Sequence, residues 1–476
     1  METSNQPSGD RMKPRIVAIG VVSLCMSGWS LNKNQSVEFA QDLNRNASVS
    51  TDAASHNPAG LAFLPGDGLY LNVGSQTILQ TRTISEPTPL LTAYGRSEYK
   101  GDIHTWVFPT LQAAYRLGDL AFFAHAGPLG GGGTGEFKQG LPQFDNMILG
   151  FADNVSKQVK AGVDAQLPAG ASTGAVPVLL YERDLSFEGD EMILGTSAGA
   201  AFKILPTLSV AAAYRFSYAS YAYKGSAKPS RLGVVYNGSV GGPAVDSILN
   251  VNTAGAFQAY WKDIAVDVVS TGVAHGAVLG LDFKPNDVWN VGLRFEWNSE
   301  LEIENETKTL AAPDSLLRYL AVYADGAKSK ITEPMVVAGG VSFKGIKDLT
   351  LQSSWIYGFA ESVDRDGLEK DFHNSLMGGF GVRYQVLPSL ELATGYSHDW
   401  TYYDDKARLE SDGDLPTHYV SAGVGVQASP RLKLNCGAMW GIGEDSHGVS
   451  KATGAKQNMS SNLLNFGVGL EWSPEI

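Results

Sequence analysis

The clearest pattern in the chain is a sustained alternation of apolar and polar residues between Asp287 and Ser299. Its apolar positions are Trp289, Val291, Leu293, Phe295 and Trp297. Because successive side chains of a β-strand point to opposite sides, the segment predicts a strand with one apolar and one polar face. Aromatic residues at both ends of the apolar face are typical of a transmembrane barrel strand, which lies between lipid and lumen.

The same alternation recurs along the chain and predicts fourteen strands. The predicted strands lie at residues 69–83, 103–117, 119–127, 191–204, 207–223, 272–284, 287–301, 332–344, 348–360, 374–386, 389–402, 417–428, 430–443 and 462–472. One such segment alone would also fit a half-buried strand of a soluble β-sandwich. The repetition therefore carries the prediction of a barrel.

The connections between the predicted strands are alternately short and long. Short turns rich in Gly, Pro, Asn and Asp follow every second strand, for example at 284–287 and 387–389. The long connections include about 128–189, 224–271 and 302–331. Short turns on one rim and long loops on the other are typical of bacterial outer-membrane barrels. We therefore predict an all-β fold, a fourteen-stranded antiparallel transmembrane barrel with both ends on the periplasmic side.

Composition and charge fit this class of protein and exclude others. The formal net charge of −13 argues against nucleic acid as a partner, because binding nucleic acid requires a basic surface. The mean hydropathy is −0.09, and no uninterrupted apolar run reaches the roughly 20 residues that a membrane helix needs. Near-neutral hydropathy is expected of a barrel, since one face alone of each strand meets lipid.

Motifs for catalysis or cofactor binding are weak. Gly195–Gly199 has the Gly-x-Ser-x-Gly pattern of a hydrolase nucleophile, but it lies inside a predicted strand and not at a strand–turn–helix junction. The run Gly130–Gly133 lacks the lysine and the helix of a phosphate loop. The eight histidines show no metal-ligand spacing. We therefore expect no metal site, no cofactor and no enzymatic activity.

The amino-terminal residues divide into two predicted segments ahead of the barrel. Residues 1–30 are predicted to be a signal peptide with a possible upstream extension, because Lys13 and Arg15 precede an apolar run and small residues follow it. A buried amino-terminal strand is the alternative. Residues 31–67 are expected to fold back into the lumen as a hatch, with a disordered periplasmic leader as the alternative. Residues 68–476 would form the barrel and its extracellular loops.

One motif in the predicted hatch carries a family resemblance. Asn57, Pro58, Ala59 and Gly60 follow an Asp-Ala pair and precede the first strand. This arrangement resembles the amino-terminal hatch signature of the long-chain fatty acid transporter (FadL) family of outer-membrane proteins. The resemblance implies a barrel closed by the hatch, a hydrophobic groove on the outer loops, an inner pocket, and uptake through a lateral gap at a kinked third strand.

The kink implied by the family would lie at the end of the predicted third strand. Gly127, Pro128 and Gly130 stand there, at the start of the glycine-rich run that ends at Gly133. Proline removes a hydrogen bond from the strand ladder and glycine permits a bulge, so regular pairing is expected to fail at this place. The alternative is a flexible loop that starts just above the membrane.

Candidate ligand-binding residues follow from the chemistry of a fatty acid, which needs an apolar tunnel and a cation for its carboxylate. By strand parity Arg215, Arg294 and Arg383 point into the lumen. The alternative for these arginines is a structural role in salt bridges with Glu296 or Glu391. The candidates for the outer groove, which could instead pack on one another, are Phe144, Ile148, Leu149, Leu179 and Leu180, within the apolar loop stretches 141–151 and 176–181.

The function predicted from these features is passive uptake of hydrophobic molecules, foremost long-chain fatty acids. A monomer surrounded by outer-membrane lipid is expected, with the fatty acid or another hydrophobic small molecule as its ligand. The alternative is a general porin or a surface adhesin built on the same barrel.

Overall fold

The computed structural model describes residues 34–475 with gaps. The gaps are residues 94, 143, 147, 148, 150–160, 162–164, 166–177, 237–246, 250–262, 313–316, 318, 319, 331, 364–372, 401–414 and 450–454. The predicted signal peptide therefore lies outside the described residues, as does Ile148.

The described residues form fourteen antiparallel strands in one closed sheet, and we number them β1 to β14 in chain order. Their bounds are β1 Gly68–Ser85, β2 Glu98–Leu117, β3 Leu120–Phe137, β4 Val178–Leu205, β5 Leu208–Tyr236, β6 Ile264–Phe283, β7 Trp289–Asn298 with Glu302–Ala311, β8 Lys328–Lys330 with Val336–Ile346, β9 Leu349–Gly358, β10 Ser375–Leu387, β11 Leu390–Trp400, β12 Thr417–Ser429, β13 Leu432–Gly443 with Ser446–Val449, and β14 Lys456–Trp472. A short strand, Ser247–Leu249, pairs with the far end of β5. The barrel closes where β1 pairs with β14 in continuous register. The predicted fold class is confirmed.

The uninterrupted strands that extend furthest beyond their predicted bounds are β3, β4 and β5. β3, β4 and β5 have 18, 28 and 29 residues, so parts of the predicted loops 128–189 and 224–271 are strand. The predicted loop 302–331 likewise contains the second segment of β7 and the first of β8. The alternation did not predict these extensions, because a strand that leaves the bilayer meets water. Its outer face no longer has to be apolar there. Charged residues face each other there, for example Glu188 opposite Lys224.

The outer wall of the barrel carries the predicted apolar band. Trp289 and Trp297 are each 45% exposed on the outside, whereas Asn290 and Glu296 of the same strand are buried inside. Large apolar residues on the other strands, such as Phe466, are exposed in the same way. A soluble sandwich would bury these residues, so the wall has the polarity of a barrel that faces hydrocarbon.

The segment from residue 34 to residue 67 lies inside the barrel, and we call it the hatch. It contains helix α1 (Val37–Asp42), helix α2 (Ala53–His56) and a 3₁₀ helix, Pro58–Phe63. Ser36 caps α1, since its hydroxyl accepts a hydrogen bond from the Phe39 backbone N–H at 3.1 Å. Helix α1 contacts strands from β10 round to β1, and the 3₁₀ helix contacts β2 to β6. The hatch thus spans the lumen. A fourth helix, Pro89–Ala93 (α3), lies between β1 and β2.

No helix among the described residues is long and apolar enough to span a membrane.

Glycines in the strands let the hatch backbone approach the wall. A Cβ atom on Gly395 of β11 would overlap the carbonyl oxygen of Asp42, and one on Gly292 of β7 would overlap that of Asn46. Both glycines face the lumen, where any other residue would need the hatch to move. The wall and the hatch are therefore shaped to each other.

We predict that Gly395→Ala loosens the hatch and increases the frequency of channel openings in planar bilayers. The added methyl group competes for space with the Asp42 carbonyl, so the hatch must shift. Gly378→Ala on neighbouring β10 is the matched control, because its Cβ would lie 3.5 Å from the nearest atom, in Trp400, at ordinary contact distance. Equal opening frequencies for the two variants would contradict a tight fit between hatch and wall.

Candidate functional site

A buried ion pair holds the hatch in its own shape. Arg45 binds Asp52 through two nitrogens, with Nε–Oδ2 at 2.7 Å and Nη2–Oδ1 at 2.9 Å. The hydroxyls of Ser48 and Ser50 also donate to Asp52 at 2.7 Å each. Burial alone raises the pKa of the Asp52 carboxyl, but the charge and hydrogen bonds of Arg45 outweigh it and hold that pKa well below its usual range.

A second set of charges ties the hatch to the wall at Arg383 of β10. The Arg383 guanidinium binds Asp42 of the hatch, binds Glu391 of β11 at 2.9 Å, and donates to the Glu38 carbonyl oxygen at 3.1 Å. Gln352 also donates to Asp42 at 2.8 Å. Arg383 therefore points into the lumen as predicted, and it makes the Glu391 contact of the structural alternative together with contacts to the hatch.

The other two candidate arginines meet at Glu296 of β7. Arg215 binds Glu296 through both terminal nitrogens, at 2.8 and 3.0 Å, and Arg294 Nε lies 3.3 Å from the same carboxylate. Arg294 also donates to the Ser55 carbonyl oxygen of the hatch at 2.9 Å. Both side chains are buried in the lumen, and their partners are those of the structural alternative.

The Asn-Pro-Ala-Gly motif packs against the opposite wall of the lumen. Asn57 donates to the Leu281 carbonyl oxygen at 3.1 Å, and Ser209 of β5 donates to the Ala59 carbonyl oxygen at 2.7 Å. Pro58 begins the 3₁₀ helix, and Gly60 leaves room for the carbonyl oxygen of Ser48. The motif thus fixes the end of the hatch that leads into β1.

The pKa values of two hatch residues are shifted in the direction that favours the neutral form of the side chain. Burial, together with Asp52 and Glu471, raises the pKa of the Glu38 carboxyl to about 7. Its Oε1 accepts hydrogen bonds at 2.8 Å from the side-chain amides of Asn72 and Asn435. Burial lowers the pKa of His56 to about 3. Docking of the hatch is therefore linked to pH.

The barrel wall has a break between β2 and β3. The two strands pair from Leu117 to Leu111 and again near His104, but not between residues 105–110 and 127–133. The pairing of β3 with β4 shifts register twice in the same stretch, and Gly131 has a left-handed φ of 62°. Gly127, Pro128 and Gly130, the residues proposed for the kink, lie in this break.

The hatch contacts the break directly. The side-chain amide of Gln35 donates to the Pro128 carbonyl oxygen at 2.9 Å, and Gln112 of β2 donates to the Gln35 carbonyl oxygen at 2.6 Å. A carbonyl released from the strand ladder thereby receives a hydrogen bond from the lumen side. On the outside, Trp106 is 67% exposed beside the break.

An apolar cluster fills the lumen beyond the hatch, at the end opposite the short turns, which we call the outer end. It includes Leu129 and Ile193 beside the break, and the aromatic rings of Phe187 and Tyr223. The cluster therefore reaches from the outer end of the lumen to the break in the wall.

The groove candidate Leu149 is buried in this cluster with Leu141 of the same loop stretch, and the candidate Phe144 packs against it. Leu179 and Leu180 lie in the outer end of β4, so their placement in a loop was wrong.

The Gly-x-Ser-x-Gly pentapeptide lies inside β4, with its serine hydrogen-bonded to a wall residue. The Ser197 hydroxyl is buried and accepts a hydrogen bond from Arg215 Nε at 3.2 Å. The strand–turn–helix geometry that a nucleophile elbow requires is not present at this site.

One cluster brings two histidines and a glutamate together, although their spacing in the sequence is not that of metal ligands. His398, His418 and Glu444 place three possible ligand atoms within 4.8 Å of one another. Sequence spacing could not show this cluster because strand register, and not proximity along the chain, brings the residues together.

Comparison with known proteins agrees with this architecture. No protein-family description and no curated protein matches the sequence. The P. putida toluene transporter TodX matches with a TM-score of 0.58 and 12% identity, over 94% of this chain and 100% of that chain. A Pseudomonas aeruginosa FadL homologue matches with a TM-score of 0.60 and 12% identity, over 92% and 98%. The Ralstonia pickettii toluene transporter TbuX gives 0.50 and 14%, over 95% and 97%.

The closed wall, its outward apolar band and its filled lumen define a plugged transmembrane β-barrel of the outer-membrane type. Its fold is that of the FadL-like transporters. The resemblance found in the sequence is confirmed for the fold.

We predict opposite pH responses for two hatch variants. Docking raises the pKa of Glu38 from 4.5 to about 7, so its stabilising effect is full below 4.5 and is lost as pH rises through 7. Docking lowers the pKa of His56 from 6.5 to about 3, so its stabilising effect is full above 6.5 and is lost as pH falls toward 3. In the wild type the two effects oppose each other.

Channel openings in planar bilayers report this linkage. In the variant His56→Gln the Glu38 effect remains, so openings should become more frequent as pH rises from about 5 to about 7.5. In the variant Glu38→Gln the His56 effect remains, so openings should become less frequent as pH rises from about 4 to about 6.5. The same pH profile for both variants would refute the assignment.

Proposed function

We propose that the protein is a monomeric outer-membrane channel that takes up hydrophobic small molecules by diffusion. The observation that carries this proposal is the break between β2 and β3, which lies beside an apolar cluster in the lumen and is bridged from within by Gln35. A water-filled general porin would need an open lumen, whereas the hatch fills this one. The fold shared with transporters of hydrophobic molecules supports the same class of ligand.

The route that we propose begins at the outer end of the lumen. A ligand enters the apolar cluster, moves toward Leu129, and leaves sideways through the break into the bilayer. Entry from water buries apolar surface of the ligand, and the later steps exchange one apolar environment for another, so no energy source is required. The residues Gly127, Pro128 and Gly130 form the lateral gap in this proposal, because their stretch of β3 is not paired with β2.

The charged residues of the lumen decide which polar group a ligand can carry. A fatty acid carboxylate needs a cationic partner in an apolar environment. Arg383 is held by Glu391 and by Asp42, and Asp42 belongs to the hatch. A shift of the hatch would free Arg383 for a ligand carboxylate. We therefore propose a long-chain fatty acid as the ligand with Arg383 as its anchor, whereas a neutral hydrocarbon would not need this step.

Narrowing the break should slow uptake. We predict that Gly127→Leu reduces oleate and toluene uptake into proteoliposomes several-fold, because the added side chain starts 3.2 Å from the Pro109 carbonyl oxygen at the lumenal mouth of the break. Gly378→Leu, on the lipid-facing side of β10, is the control and should transport normally. Wild-type uptake by Gly127→Leu would exclude the lateral route.

Arg383→Gln separates charged from neutral ligands. We predict that it reduces oleate uptake about tenfold, the effect of a lost charge-assisted contact, while toluene uptake is retained or increased. Arg431→Gln is the control, since Arg431 is an exposed residue paired with Glu475 near the short turns. An equal loss of both ligands would show that Arg383 serves the hatch and does not anchor a carboxylate.

A further inference from the structure

Three potential metal ligands lie on the outer surface of the barrel, near the outer end. His398 of β11 pairs directly with His418 of β12. Glu444 follows the first segment of β13 and donates its backbone N–H to the Pro416 carbonyl oxygen at 2.7 Å. The three residues share the outward parity of Leu392, Val420 and Ile442, whose side chains are exposed. The cluster therefore lies outside the lumen, on three neighbouring strands.

The spacing of the ligand atoms fits a tetrahedral ion. His398 Nε2 and His418 Nε2 each lie 3.1 Å from Glu444 Oε1. A zinc ion with bonds of about 2.0–2.1 Å has ligand atoms about 3.3 Å apart along each edge of its tetrahedron. The two imidazole rings are stacked with centroids 4.1 Å apart and planes inclined by 8°. Two edges of the site are thus close to the required length before any ion binds.

Neighbouring side chains fix the two rings. The Tyr396 hydroxyl lies 2.8 Å from His418 Nδ1, so the hydrogen bond leaves Nε2 to face Glu444. The indole ring of Trp400 packs edge-on against His398 with centroids 4.4 Å apart. A partner on the second ring nitrogen, which His418 has, is the usual support of a metal-binding histidine.

Among the three possible ligand atoms, Nε2 of His398 gives the strongest evidence for a bound ligand. His398 is 7% exposed, and among the described residues this nitrogen has no hydrogen-bond partner of acceptable angle, although Glu444 Oε1 is 3.1 Å away. A buried polar atom without a satisfied hydrogen bond calls for a further partner. An ion placed between the three ligand atoms would accept its lone pair.

We propose that His398, His418 and Glu444 bind a divalent late transition-metal ion, with Zn²⁺ as the reference ion. Two imidazoles and one carboxylate favour zinc, cobalt, nickel or copper, whereas calcium and magnesium prefer sites made of oxygen ligands. The fourth position of a tetrahedral ion stays open to water. Strands β14 and β1 separate this site from the break between β2 and β3, so the proposal is independent of the route of uptake.

The test uses Co²⁺ as a spectroscopic probe on the full-length protein in detergent. We expect one Co²⁺ per chain with the intense visible absorption of a tetrahedral site, which Zn²⁺ displaces. His398→Asn, His418→Asn and Glu444→Gln should each weaken Zn²⁺ binding by at least about tenfold in calorimetry. His447→Asn is the matched control, because His447 is exposed and its Nδ1 lies 3.0 Å from Asn458 Oδ1.

Two results of the cobalt and calorimetry experiments would overturn the proposal. One is a Co²⁺ spectrum no different from that of the aqueous ion; the other is an equal loss of affinity in His447→Asn. A measurement on the wild type alone covers the case in which a variant does not fold. Zn²⁺ should protect His398 and His418 from diethyl pyrocarbonate, detected by mass spectrometry, and should leave His447 reactive. Equal modification of all three histidines with and without Zn²⁺ would also count against the site.

Discussion

Every backbone N–H and C=O group that faces hydrocarbon must find a partner within the protein, and this requirement dominates the structure. The continuous ladder from β1 round to β14 meets it by leaving no sheet edge. The break between residues 105–110 and 127–133 is an exception, and there the hatch residue Gln35 supplies a donor to Pro128. The hatch therefore supports the wall at the stretch where two neighbouring strands are not paired.

The hatch is held by charges that would be costly to bury alone. Arg45 neutralises Asp52 within the hatch, while Arg383 joins Asp42 to the wall. Removing one member of a buried pair leaves an uncompensated charge, which costs about 3–5 kcal/mol. If the hatch shifts, a ligand carboxylate would replace Asp42 at Arg383, and Asp42 would keep Arg45 as its ion-pair partner, at 3.4 Å. Closure and ligand binding would then share one guanidinium.

Alternation along the strands predicted the barrel, its strand number and the faces of residues such as Trp289 and Glu296, because each strand has lipid on one side. It failed beyond the bilayer, where β4 continues with polar residues on its outer face. Contacts between residues that are far apart in the sequence could not be predicted from a single sequence. The pair Asp42–Arg383 and the pair His398–His418 arise from hatch docking and strand register. Strand parity predicted that the three arginines face the lumen, but it did not predict their partners in the hatch.

The central claim is that a hydrophobic molecule passes from the lumen to the bilayer through the break in the wall. Photolabelling of the reconstituted protein with a diazirine-bearing fatty acid, followed by mass spectrometry, tests it most directly. We predict adducts on lumen-facing residues at the break, such as Thr110 and Leu129, and their loss when unlabelled oleate is added. Adducts confined to outward residues such as Phe466, with no competition by oleate, would contradict the account.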